Sequence, residues 1–183
     1  MARMRAARAL PLLCLLVLHA ISWTARADVT KEYELKAAFI FNFVRFVDWP
    51  DQKFADANSP IIAGLFGGSP LGAELETVVR GRKINGRPIV IKAVQTIEAA
   101  RLVDVLFISA AEDSQASQLI AACKSAGVLT VGESDTFEKG GGMITFLLKD
   151  DKLRFDINMA TAESSGLDIS AQLQKLANTI LRK

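Results

Sequence analysis

The chain has 183 residues, half of them hydrophobic, and its 22 Lys+Arg against 20 Asp+Glu leave a formal charge of +2. A length of this order fits one domain that buries most of its unfolded surface and folds without a metal or disulfide staple. One histidine and two cysteines are too few for imidazole-rich metal centres or a disulfide framework, and the near-neutral balance gives no electrostatic footprint for nucleic acid.

The chain opens with what reads as a secretory signal peptide, Met1–Ala27. Arg3, Arg5 and Arg8 make a positive n-region, Leu10–Leu18 an apolar h-region, and Ala25-Arg26-Ala27 a small-x-small cleavage site. The apolar run is shorter than the ~20 residues that span a bilayer, and Cys14 lacks the small preceding residue of a lipoprotein site. Cleavage after Ala27 is expected to export residues 28–183 as a single α/β domain. The signal takes four arginines with it, so the remaining 156 residues carry a formal charge of −2. It also takes His19, the only histidine. Without imidazole there is no Ser-His-Asp or Cys-His nucleophile and no histidine-ligated zinc. Ser-x-x-Lys, Walker and Gly-x-Gly-x-x-Gly spacings are also missing, and the spacing of Glu133, Asp135 and Glu138 fits no EF-hand loop. No catalytic residue, cofactor or metal ligand is therefore assigned.

The first element is the stretch Tyr33 to Pro50. Phe39, Phe43 and Phe46 recur at i, i+4 and i+7, and Leu35, Ile40, Val44 and Val47 widen the stripe, as in a helix packed along much of its circumference. Lys31, Glu34, Asn42 and Arg45 fall on the narrow polar face. Trp49-Pro50 is expected to end the helix, since proline lacks an amide hydrogen and disfavours helix at the preceding residue.

Ile61–Phe66 reads as a buried strand. The turn Gly67-Gly68-Ser69-Pro70 follows, read as a tight turn with phosphate binding as the alternative, and then a helix over Leu71–Val79. Arg80, Arg82, Lys83 and Arg87 surround the turn Asn85-Gly86 and read as a solvated loop, with an acidic partner or lipid headgroups as the alternative. Pro88–Val94 is the second strand. Thr96 caps a short helix through Arg101, and Val103–Ile108 is a strand buried on both faces. A helix from Asp113 to Ala126 ends at Gly127. Its face Ala116, Leu119, Ile120 makes Cys123 a buried small apolar residue, the alternative being a thiol that pairs with another chain. Val128–Val131 is the fourth strand.

After Lys139-Gly140-Gly141-Gly142, the segments Met143–Lys149 and Lys152–Asn158 flank Asp150-Asp151 as a β-hairpin. Leu153, Phe155 and Ile157 alternate with Arg154, Asp156 and Asn158, so one face is core and the other polar. Leu173, Leu176, Ala177 and Ile180 predict a final helix over Ser170–Leu181. The fold expected is a three-layer α/β sandwich, its mostly parallel sheet closed by a C-terminal antiparallel hairpin. Asn42 and Arg45 on the first helix and the row Arg154, Asp156 and Asn158 are the candidate ligand- or partner-binding residues.

The segments KAAFIFNFVRFVDWP, GRKINGRPIVIK, VDVLFIS, and VLTVGES through KGGGMITFLLKDDKLRFDIN to the last helix together resemble the YfiR family of periplasmic proteins. The resemblance implies a non-enzymatic regulator that represses the periplasmic sensor portion of a membrane diguanylate cyclase, restraining cyclic-di-GMP synthesis and biofilm formation. It also implies relief by an OmpA-like outer-membrane lipoprotein. The family's namesake is disulfide-bonded; with one cysteine left after residue 27, intramolecular redox tuning does not carry over. A second expectation is a periplasmic small-molecule-binding module reporting to another membrane sensor, such as a histidine kinase. A homodimer through the first helix is expected if its aromatic stripe is wider than one core covers.

Overall fold

The computed structural model describes residues 30–182, and the signal peptide read at Met1–Ala27 lies outside the described residues. Residues 30–45 are helical (α1). The helix stops before Trp49-Pro50, because the chain turns into a two-residue strand, β1 (Val47–Asp48), paired antiparallel with β9 (Asp168–Ile169). The amide of Ser170 takes the Phe46 carbonyl at 2.9 Å. A tertiary strand pair therefore ends the helix five residues ahead of the proline.

Eight strands make the main sheet: β2 (Ile61–Phe66), β3 (Lys83–Ile84), β4 (Arg87–Val94), β5 (Val105–Ile108), β6 (Leu129–Gly132), β7 (Ile144–Lys149), β8 (Lys152–Asn158) and β10 (Thr179–Leu181). Their order is β10-β8-β7-β6-β5-β2-β4-β3. The five from β4 to β7 are parallel, with β2 lying between β4 and β5. The chain winds from β2 outward to β4, then returns to the other side of β2 for β5, β6 and β7, which is a doubly wound arrangement. All four residues of β5 and of β6 are buried, as central parallel strands covered on both faces require.

Helices lie on both sides, giving the expected three layers. On one face α1, α2 (Leu71–Val79), α6 (Met159–Ser164) and α7 (Ala171–Gln174) share a core with Val105, Phe107, Phe146 and Phe155. On the other, α3 (Ile97–Ala100), α4 (Asp113–Ser125) and α5 (Asp135–Lys139) enclose Phe66, Leu106 and Ile108. Thr96 caps α3 as read, its hydroxyl accepting from the Ala99 amide at 3.1 Å. Phe137 of α5 sits between two glycines: a Cβ at Gly132 or Gly142 would come within 2.4 or 2.0 Å of its ring. The triple-glycine stretch thus makes room for an aromatic ring as well as a turn.

The hairpin closes as predicted, with β7 and β8 antiparallel from Ile144↔Ile157 to Lys149↔Lys152. Asp150 and Asp151 both have positive φ, 52° and 55°, the conformation a two-residue I′ turn needs. The last segment departs from expectation. Only Ala171–Gln174 is helical, capped by the Ser170 hydroxyl, while Thr179–Leu181 adds a parallel strand to the free edge of β8. The Asn178 amide donates to the Phe155 carbonyl at 2.8 Å. Satisfying that open edge with the β-branched pair Thr179-Ile180 outweighs the helical period, and Leu176 is left 63% exposed.

Cys123 is fully buried on the α4 face with Ala116, Leu119 and Ile120. Burial pushes its thiol up to about 12, so the thiolate that reacts is scarce at neutral pH. Thiol reagents are expected to label Cys123 only as fast as the domain unfolds; rapid stoichiometric labelling of the native protein would contradict this packing.

Candidate functional site

Open α/β sheets bind their ligands beyond the carboxyl ends of the strands. At the β2 end, Gly67 has φ 87°, and the Glu112 side chain lies 2.5 Å from where its Cβ would be. A carboxylate thus faces the Gly67-Gly68 turn, which fits the tight-turn reading better than a phosphate site.

The opening lies further along the sheet. β6 stops at Gly132, and its register with β7 ends at Gly132↔Thr145. β7 runs on to Lys149, so Phe146–Lys149 have no strand beside them on the β6 side. Two hollows of about 300 and 320 Å³ occupy the space that is left, sharing Glu133, Phe146, Leu147 and Leu148.

The first hollow is centred on a buried lysine. Lys36 of α1 is 4% exposed. Its ammonium is 2.5 Å from Glu133 Oε2 and 2.5 Å from Glu32 Oε1, and 4.8 Å from the centre of the Tyr33 ring. Glu133 Oε1 accepts from the Ala110 amide at 3.4 Å. Burial works to lower the Lys36 pKa, but the hydrogen bonds and charges of Glu133 and Glu32 outweigh it and hold the ammonium above its ordinary range. Two carboxylates around one ammonium leave a net negative centre beside an apolar wall of Phe146, Leu148 and Leu153.

This node was not singled out in the sequence. A lysine on an aromatic helix reads as a surface residue, and its partner Glu133 is 97 positions away. Leu35, assigned to the packed stripe, is 46% exposed, and the buried position beside it is Lys36.

The five candidate residues do not form one surface. Asn42 and Arg45 are exposed on α1, and Arg45 lies 5.8 Å from the Phe46 ring centre. α1 covers the Phe155 face of β8, through ring contacts of Phe39 and Phe43 with Phe155. Arg154, Asp156 and Asn158 alternate with that face, so their side chains belong to the other side of the sheet. Asn158 caps α6, its Oδ1 accepting from the Thr161 amide at 3.0 Å. Asp156 accepts from Asn178 Nδ2 at 2.8 Å and lines the second hollow with Glu133 and Glu138. Arg154 is exposed. Within the basic cluster, Arg82 lies over the Phe41 ring at 5.3 Å and is not simply solvated.

A second buried ion pair ties a loop to the opposite end of the sheet. Asp104, 6% exposed, accepts from the Ile62 amide at 2.8 Å and lies 3.8 Å from Lys53 Nζ. Burial raises its pKa against the lowering effect of the Ile62 hydrogen bond and of Lys53. A carboxyl raised in the folded state favours folding below its unfolded value, and that contribution is lost as pH rises through the folded value. Denaturant unfolding should therefore shift in favour of Asp104→Asn, relative to the parent protein, as pH rises from below the ordinary carboxylate value of 3.8; a shift the other way would reverse this assignment.

Among the described residues no helix is long and apolar enough to cross a membrane, and no group of three or more His, Cys, Asp or Glu is placed to hold a metal ion. The fold is a doubly wound α/β domain whose open end is acidic and apolar. The sequence matches the signature of the YfiR/HmsC-like family over residues 33–178, and the chain belongs to that family. The family is regulatory rather than catalytic. No curated protein matches the chain. Among solved structures it is similar to a conserved domain protein from Vibrio cholerae O1 biovar El Tor str. N16961, with TM-score 0.57 and 13% identity over 81% of this chain and 60% of that one. It is also similar to the ABC domain in complex with L-Trp from Streptococcus pneumonia, with TM-score 0.48 and 12% identity over 66% of this chain and 55% of that one. The chain spans less than two thirds of the length of either structure. The Vibrio likeness concerns the fold alone.

Proposed function

We propose that this protein is a periplasmic regulator that docks on the periplasmic sensor portion of an inner-membrane diguanylate cyclase and restrains it, lowering cyclic-di-GMP and biofilm formation. The observation that carries this reading is membership of the YfiR/HmsC-like family over residues 33–178. Residues 28–183 act as one domain after export and cleavage behind Ala27, and an OmpA-like outer-membrane lipoprotein is the partner that relieves repression. The docking surface includes the rim of the open end, where Leu148 is 65% exposed beside Asp156, together with Arg154 and Asn158 on β8. Asn42 and Arg45 form a separate contact on α1. For dimerisation through α1, Leu35 is the one large apolar residue that this helix exposes among the described residues, which gives a narrow patch.

Deleting the gene is expected to raise cellular cyclic-di-GMP, and the exported protein, but not a version without residues 1–27, should restore it. An unchanged level in cells that express the protein would end this reading. Charge reversal at Arg154 that leaves fold and repression intact would remove the β8 row from the docking surface. The hollows of about 300 Å³ favour a second reading, a small-molecule module serving another sensor such as a histidine kinase. It predicts no change in cyclic-di-GMP and a ligand-dependent rise in Tm.

A further inference from the structure

Two segments prominent in the sequence, FVDWP at 46–50 and GRKINGRP at 81–88, come together at the amino end of β2, away from the Lys36 node. Asp48 and Trp49 from the first, and Ile84, Asn85 and Arg87 from the second, line one cavity of about 280 Å³. Its floor is aliphatic, with Val47, Ile61 and Ile84 at most 5% exposed. Trp49 and Phe54 wall it in edge-on contact, ring centres 6.3 Å apart at 70°.

The loop that supplies Phe54 is fixed in place. Lys53 Nζ donates to the Ala126 carbonyl at 2.9 Å and the Val103 carbonyl at 3.4 Å. Arg87 Nη1 donates to the carbonyls of Asp56 and Ser59, at 2.5 and 3.0 Å, and the guanidinium lies 4.1 Å from the centre of the Phe54 ring. The cavity is therefore held open by bonds from three separate segments. Trp49 also carries a buried Nε1 for which the described residues offer no acceptor, although buried indole N–H groups ordinarily find one.

Two charged groups line the cavity. Asp48 is exposed and screened by solvent. Arg87 is half-buried, and one nitrogen serves both loop carbonyls, leaving its other donors for a carboxylate, the group guanidinium pairs with best. The geometry points to this cavity as a binding site for a small amphiphilic carboxylate, with its aliphatic body on Val47, Ile61 and Ile84 and its head at Arg87. Such a ligand would reach the protein from the solvent at the end of the sheet opposite the proposed docking rim.

The test uses octanoate, with octylammonium as the probe of equal chain length and opposite head charge. Tryptophan occurs only at positions 23 and 49, so full-length protein carrying Trp23→Phe reports from Trp49 alone. Octanoate is expected to shift Trp49 emission saturably and raise Tm, and octylammonium to do neither. Arg87→Gln should weaken octanoate binding at least tenfold, while Arg87→Lys should recover most of it. Ile84→Phe, which fills the cavity, should abolish binding with the far-UV spectrum unchanged. Absence of saturable octanoate binding, equal binding of octylammonium, or full binding to Ile84→Phe would each overturn the assignment. Should Ile84→Phe fail to fold, the head-group comparison and the Arg87 pair decide. No cyclase enters the assay, so its outcome is independent of the regulatory reading.

Discussion

Phe43→Ala is expected to lower the stability of the domain by about 3–5 kcal/mol, the usual cost of emptying a large aromatic site in a core. Phe43 is fully buried, and its ring centre lies 4.9 Å from Phe155, 5.6 Å from Phe146 and 5.9 Å from Phe39. These four rings join α1, near the start of the described chain, to the β7–β8 hairpin more than a hundred residues later. Alanine removes the ring at the centre, and neighbours held by helix and ladder hydrogen bonds collapse only partly into the gap. For a domain of this size the loss corresponds to a fall in Tm of about 10 °C, a large part of the 5–15 kcal/mol that holds typical domains folded. Phe41→Ala is the control, because Phe41 is half-buried against Arg82 and should cost much less. Urea unfolding followed by far-UV circular dichroism measures both. Similar losses in the two variants would mean that the ring cluster does not organise the core.

What the sequence disclosed follows from which interactions are local. Continuous apolar runs marked β2 and β5, and Asp150-Asp151 between alternating segments marked the β7–β8 hairpin. The face of α4 marked Cys123 as buried. Each signal lies within a few residues of the element it specifies. The departures share the opposite property. α1 ends early because Val47–Asp48 meets Asp168–Ile169, and the last helix is cut short because the edge of β8 was open for Thr179–Leu181. No local period reports a vacancy on a distant strand. The polar row Arg154, Asp156, Asn158 was legible as a row, but its separation from Asn42 and Arg45 depended on which face α1 would cover. The aromatic stripe, broad enough for several orientations, left that undecided.

Lys36→Met is expected to be the other highly destabilising change, by about 3–5 kcal/mol near pH 7, because breaking a buried pair leaves a charge without compensation. Methionine keeps the volume of the side chain, so the effect is electrostatic rather than a cavity. Glu133, with a side chain 11% exposed, would keep only the Ala110 amide and would face Glu32 without the ammonium between them. Lys36→Met combined with Glu133→Gln should recover much of the loss at pH 7. The Lys36 pKa is raised above its usual 10.5 by Glu133 and Glu32 against desolvation, so its contribution is fully present below pH 10.5 and is lost only as pH rises through the folded value. Parent stability should therefore carry no Lys36 signature through neutrality. A double variant no more stable than Lys36→Met would show that the lysine acts by packing. Since this pair fixes the first helix to the residue that follows β6, either outcome also bears on the shape of the hollow beneath Leu148.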